Sequence, residues 1–416
     1  MIYFVTGILI LLVVVSRVRG YGFREIFEMA WPGIRGALIV AEVLVLIGCL
    51  TGLWRGNGTI AYFIDRGIRL LPPSLFVLSA FLLAAAMSLA IGTSFGVVAT
   101  AGVILMSIAR AGGVHPIPVA GAIMSGIYVG DRNSPAASSA ALVAAVTGTD
   151  QNRNIRIMFR SALPVLILCT ILYAALSFVF PMKEMNTDAV SLLSSSFQMS
   201  WICMVPAALM LVLPLCKVKV KTAMAVDILV SFLIAVFIQH AGVGETFKVM
   251  VMGYEASDEE LSVLLNGGGI RSMLEVCYIL VVSGSFADIM NGTGLLTGAY
   301  RLVEKSRDKI GRTGTMTLLS VLTCAILCNQ TIGVLMVNRL GSNLYRESEK
   351  YEKMLDIENS VIMIAGLVPW CIAASVPLNT MGVGAQALPL SFFVWLLPLW
   401  HLGKSFVMKR KRERSV

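Results

Sequence analysis

The chain has 416 residues, 57% of them hydrophobic and only 14% charged. Soluble domains carry about 25% charged residues, so this sequence lacks the polar surface to coat a globule in water, and soluble classes are excluded. Its formal net charge of +9 then reads as membrane topology rather than nucleic-acid binding, because Lys and Arg accumulate in cytoplasmic loops.

The first apolar block, Met1–Ser16, has no basic segment before it and no small-residue cleavage site, and Arg17 and Arg19 follow it. It is predicted to be a first span, not a signal peptide. Ile34-Arg35 opens the second block, which contains Glu42 and ends at Asn57-Gly58-Thr59. A basic amphipathic stretch, Ile60–Leu71, comes next. The block Leu75–Ala109 is then interrupted at Gly92-Thr93-Ser94, and residues 117–147 are interrupted by Asp131-Arg132-Asn133-Ser134-Pro135. Ser161–Phe180, Trp201–Cys216 and Thr222–Ala241 are uninterrupted blocks of the length that crosses about 30 Å of hydrocarbon. Ile270-Arg271 opens a run containing Glu275 that ends at Asn291-Gly292-Thr293. A basic stretch, Leu295–Lys309, precedes the block Thr315–Asn338, which is broken at Asn329-Gln330-Thr331. A second broken segment over 358–384, the block Leu388–Leu402 and a basic tail over 404–416 complete the chain.

The second half thus repeats the first in the same order, which predicts an internal duplication. Charge decides how the interrupted blocks run. If each dips in and returns to the same face, 25 of the 33 lysines and arginines fall on one side and 7 on the other. If each crosses, the split is nearly even. The expected fold is therefore an all-α polytopic membrane protein, an inverted repeat with re-entrant hairpins at 75–109 and 315–338 and about nine full crossings. The first repeat covers 1–180, a linker and extra span 181–221, and the second repeat 222–403. Met1 lies outside and the basic tail in the cytoplasm of a cell membrane. Trp201–Cys216 has no partner in the first half, so the symmetry predicts one further span before Met1.

Irregular backbone at membrane depth is tolerated only where protein buries it or it lines a wet cavity. Ionisable side chains there are expensive and default to function. Asp131 can bind a cation or shuttle a proton, although an Asp131–Arg132 structural pair is the rival reading. Glu42 and Glu275 sit near the basic start of their spans, where proton transfer and a structural interfacial role are equally expected. Asp227, six residues from Lys221, is expected near the interface. The eight cysteines lie mostly in apolar blocks, and His115, His240 and His401 are scattered. No zinc or protease motif is present, so no enzyme, cofactor or metal centre is expected beyond a transported Na+.

Gly92-Thr93-Ser94-Phe95-Gly96, the run from Val119 through Asp131 to Pro135, and Thr147-Gly148-Thr149-Asp150 resemble the NhaC family of Na+/H+ antiporters. The similarity extends from about Gly20 to His401. It implies a two-hairpin inverted repeat, elevator-type movement, and a small monovalent cation and protons as cargo. Departures from the family pattern occur at Ser138, Ala141, Asn329, Asn359, Ala365-Gly366 and Cys371-Ile372. The candidate site comprises Thr93, Ser94, Asp131, Asn133, Ser134, Asn329, Gln330 and Thr331, with Arg132, Glu42 and Glu275 in proton or structural roles. A lactate- or malate-type anion exchanger on the same fold, using Arg132, is the alternative, and a non-transporting scaffold is the reading from another class. The bilayer is the expected partner, with a homodimer as an admissible assembly.

Overall fold

The computed structural model describes residues 2–182, 187–295 and 297–414. Met1 and Lys183 lie outside that set, as do the side chains of Arg301, Lys305, Arg307, Lys309 and the tail Lys409-Arg410-Lys411-Arg412. Among the described residues every regular element is helical, apart from an isolated bridge between Tyr254 and Gly267. The first half forms α1 (Ile2–Val18), α2 (Phe23–Gly56), α3 (Thr59–Leu70), α4 (Phe76–Ile91), α5 (Ser94–Ala111), α6 (Pro116–Asn133), α7 (Ser138–Thr147) and α8 (Gln151–Val179). Then come α9 (Thr187–Ser196), α10 (Val205–Leu215), α11 (Val220–Phe237), α12 (Val243–Met252), α13 (Glu259–Leu265) and α14 (Gly269–Gly292). The chain ends with α15 (Thr297–Leu327), α16 (Gln330–Gly341), α17 (Lys350–Asn359), α18 (Val361–Ala365), α19 (Ile372–Thr380) and α20 (Phe392–Arg414). Among the described residues seven helices are long and apolar enough to cross a membrane, and the protein is a multi-pass membrane protein.

The outer surface matches that medium. On α8, Met158, Ala162, Val165, Cys169 and Tyr173 are buried along one face, while Leu163, Ile167 and Ile171 are more than half exposed along the other. Both faces are apolar, one packed on protein and one turned outward, as a lipid-facing helix requires.

Two long helices form the spine. Helices α2 and α14 pack antiparallel, with Gly33 against Gly284 and Gly48 against Gly269. A Cβ on Gly33 would stand 2.0 Å from the Gly284 carbonyl oxygen, so only glycine permits this approach. Helix α1 runs parallel to α14, joined by a 2.8 Å hydrogen bond between the Thr6 and Tyr278 hydroxyls and a 2.7 Å bond from Arg19 to the Thr293 carbonyl. Helix α11 runs parallel to α2 in the same way. Lys221 reaches Glu42 at 2.8 Å, and the Trp54 indole donates to Asp227 at 3.1 Å. Helix α1 thus packs along α14, and α11 along α2.

Asp227 is fully buried against α2 and accepts from the Trp54 indole and the Ser231 hydroxyl.

The chain reverses at Gly92 and again at Cys328 with the same backbone sequence. A left-handed residue (Gly92, φ 74; Cys328, φ 55) is followed by an extended one (Thr93, φ −143; Asn329, φ −137), and a new helix begins. Thr93 Oγ1 accepts from the Gly96 N–H, and Asn329 Oδ1 accepts from the N–H groups of Thr331 and Ile332. These are N-caps. Gly92-Thr93-Ser94 therefore corresponds to Cys328-Asn329-Gln330, one residue earlier than the sequence match, because the turn needs its left-handed residue before the cap. The Asn-Gly-Thr pair also differs between halves. Gly58 (φ 82) turns the chain into α3, whereas Gly292 stays in α14 and the turn comes at Gly294 (φ 69).

Local contacts tie the segments that flank each turn. The Met182 N–H donates to the Pro73 carbonyl at 3.0 Å, and the Met182 side chain lies against Gly112. Arg312 on α15 pairs with Glu349 at 2.6 Å, just before α17, and with Glu352 on α17 at 2.9 Å.

Candidate functional site

The two turns meet at the break between α6 and α7. Asp131 is 6% exposed, and Arg132, Asn133 and Ser134 are fully buried. Ser134 Oγ donates to the Leu89 carbonyl at 2.7 Å, which pins the break to the end of α4. Gly92 lies directly against Ala136: a Cβ there would be 2.6 Å from the Ala136 carbonyl carbon. The close approach and the positive φ both require glycine at this position.

Asp131 is the point of convergence. Its carboxylate is faced by the Ser94 backbone N–H from the first turn and the Ser139 hydroxyl from α7. Ser139 Oγ also donates to the Asp131 carbonyl. From the second turn, Gln330 Nε2 makes a long 3.5 Å contact to Asp131 Oδ2 and a 3.2 Å bond to the Ile362 carbonyl. A single π-type turn over Val98–Gly102 lies in α5 just beyond the first reversal, a distortion common at functional sites.

The broken helix of the second half clasps the second turn. The Ile372 N–H donates to the Cys328 carbonyl at 2.9 Å, Trp370 Nε1 to the Ala325 carbonyl at 2.7 Å, and Ser320 Oγ to Ser360 Oγ at 2.8 Å. The Tyr128 hydroxyl links the halves by donating to the Ala373 carbonyl at 2.9 Å.

Arg132 points elsewhere than Asp131. Its guanidinium donates to Asn133 Oδ1 (2.7 Å), the Met158 carbonyl (3.1 Å), Ser161 Oγ (3.0 Å) and Asn359 Oδ1 (2.6 Å). All four acceptors are neutral, and they belong to α6, α8 and α17. Glu358, beside Asn359, is 1% exposed, and neither of its carboxylate oxygens has a hydrogen-bond partner among the described residues. Arg132 and Asp131 both lie within electrostatic reach of it. The sequence analysis singled out Asn359 and not its neighbour Glu358; an acid inside the second interrupted segment was the available signal.

The structure therefore brings together Thr93, Ser94, Asp131, Arg132, Asn133, Ser134, Asn329 and Gln330, and adds Glu358. Asn133 serves the local backbone, donating to the Val129 carbonyl while accepting from Arg132. Thr331 is exposed. Glu42 sits on the outer surface of α2 paired with Lys221, and Glu275 is exposed on α14. Exposed ion pairs contribute about 0–1 kcal/mol, so Glu42→Gln is expected to leave the transport rate within about twofold of wild type, read in reconstituted vesicles.

A cavity of about 610 Å³ approaches the cluster from the side of α17 and α20. Arg160, Arg312 and Lys404 line it, as do Ser161 and Asn359, two of the Arg132 acceptors. On its wall Asp356 pairs with His401 Nε2 at 2.5 Å and also accepts from Thr313 and Tyr345.

The sequence matches the Na+/H+ antiporter family over residues 1–178 and 126–407. The chain belongs to that family. It is 28% identical to the malate-2H(+)/Na(+)-lactate antiporter of Bacillus subtilis, over 91% of this chain and 82% of that protein. It is 23% identical to the Na(+)/H(+) antiporter NhaC of Alkalihalophilus pseudofirmus, over 94% and 86%. It is also 23% identical to the arginine/ornithine antiporter ArcD of Halobacterium salinarum, over 91% and 80%. These relatives share the antiport name and differ in the cargo they are named for, so family membership fixes the mode of transport more tightly than the solute.

Proposed function

We propose that the protein exchanges sodium, or another small monovalent cation, for protons at Asp131. The observation that carries this reading is the convergence of both turns on a buried carboxylate. Oxygen ligands suit small hard cations. Asp131, Thr93 and Ser94 supply carboxylate and hydroxyl oxygens, and Gln330 can turn its amide oxygen inward. A proton and a cation compete for one net negative charge at this site, which couples their movements.

In this reading the chain is an inverted repeat over 1–180 and 222–403, with re-entrant hairpins at 75–109 and 315–338. The antiparallel packing of α2 on α14 supports the inversion, because these are the matched helices of the two halves. The shared turn geometry and the contacts of both tips with the buried breaks support re-entry. The hairpins and broken helices would move as a unit against α1, α2, α11 and α14 in an elevator-type cycle, with the basic tail in the cytoplasm.

A second reading rests on the cavity. Its volume of about 610 Å³ suits a small organic acid better than a bare ion, and Arg160 and Lys404 line it. The name of the Bacillus subtilis malate/lactate relative points the same way. A thermal-shift screen with Na+, Li+, K+, lactate and malate, at pH values either side of carboxylate titration, separates the two. Ligand at about 100 times its Kd stabilises by about 2.7 kcal/mol. Stabilisation by sodium that grows with pH supports the antiport reading; stabilisation by the carboxylates alone overturns it.

A further inference from the structure

Glu358 ends α17 with its side chain out of water and both oxygens unpartnered among the described residues. Holding an ionised carboxylate that way, without compensation, costs several kcal/mol. The compensation at hand is Arg132, which bonds to the adjacent Asn359 and whose own Nε has no partner among the described residues. A guanidinium keeps its proton, so Arg132 contributes one fixed positive charge.

From the elements packed around α17, the ionisable groups facing this region are Arg132 and Asp131 on α6 and Cys324 on α15, whose thiol contacts the Val361 carbonyl. His401 on α20 is taken up by Asp356. Arg160, Arg312 and Lys404 line the cavity beyond Asn359. The buried charge is therefore carried by one cation and two carboxylates. In a low-dielectric interior such a cluster is stable near neutrality. It reaches neutrality in two ways: with one proton on a carboxylate, or with both carboxylates ionised and one monovalent cation bound.

We propose that Asp131, Arg132 and Glu358 form a charge-balanced triad that holds either one proton or one monovalent cation, so that exchange is one-for-one and electroneutral. Asp131 takes the cation. Glu358 holds the proton, gives it to solvent in the cavity when the cation binds, and regains one from solvent when the cation leaves. This inference rests on the antiport reading above and assigns its stoichiometry.

The test uses the full-length protein. In proteoliposomes, sodium-driven pH change is measured with the membrane potential clamped at zero, and then at a value that would alter a one-charge flux about tenfold. The triad predicts a change below about twofold. In detergent, the sodium affinity of the wild type should weaken about tenfold per pH unit below the titration, as one-proton competition requires. Glu358→Gln should weaken sodium binding at least about tenfold and remove that pH dependence, while Glu358→Asp retains it. A wild-type flux that follows the potential, or a Glu358→Gln protein that keeps the full pH dependence, overturns the triad. A wild type with no sodium-driven pH change overturns the antiport reading itself, and the triad with it.

Discussion

Asp131→Asn abolishes sodium-driven proton flux, lowering its initial rate by at least about a hundredfold, while the protein stays folded. The substitution is nearly isosteric. The amide can still meet the Ser94 N–H and the Ser139 hydroxyl, so the convergence of the two turns survives. What disappears is the negative charge and the titratable oxygen. Without the carboxylate the site neither holds the cation nor carries a proton, and a loss of about 3 kcal/mol in cation binding corresponds to about a hundredfold at about 1.4 kcal/mol per factor of ten. Initial rates in proteoliposomes measure the effect, and a monodisperse elution profile shows that the fold is retained. A variant that transports at the wild-type rate would remove Asp131 from the mechanism.

Arg132→Leu acts on folding first. Its guanidinium ties α6, α8 and α17 together through Asn133, Met158, Ser161 and Asn359. Leucine removes the donor shared by Asn133 Oδ1 and Asn359 Oδ1 and leaves the buried carboxylates without their fixed counter-charge. A loss of about 3–5 kcal/mol follows for a broken buried charge arrangement, which is a large share of the 5–15 kcal/mol that holds a folded protein together. The expected result is aggregated material on fluorescence-detected size exclusion. Arg132→Lys keeps the charge but not the planar fork of donors, so it should restore the monodisperse peak with a lower transport rate. An Arg132→Leu protein as stable as wild type would contradict the anchoring role.

The apolar blocks, both reversals and the broken helix around Asp131 were legible because membrane depth makes every polar interruption conspicuous. The register of the second reversal was not. Asn329-Gln330-Thr331 looks like the polar insert, yet the backbone requirement falls on Cys328, an apolar-looking residue held at φ 55. The burial of Asp227 against α2 was hidden for a related reason. A lipid-exposed helix is apolar on both faces, so periodicity does not tell which side is buried, as α8 illustrates. Glu358 gains its meaning from Arg132 across the fold, a juxtaposition that no local pattern encodes. Glu42 and Glu275 show the converse: acids inside apolar blocks that the fold leaves at the surface.

Lumenal pH in proteoliposomes after an inward sodium gradient is imposed tests the central claim most directly. Cation/proton exchange at Asp131 predicts that the lumen turns alkaline with the wild type and stays constant with Asp131→Asn. A wild-type lumen that keeps its pH while labelled lactate or malate accumulates would contradict it.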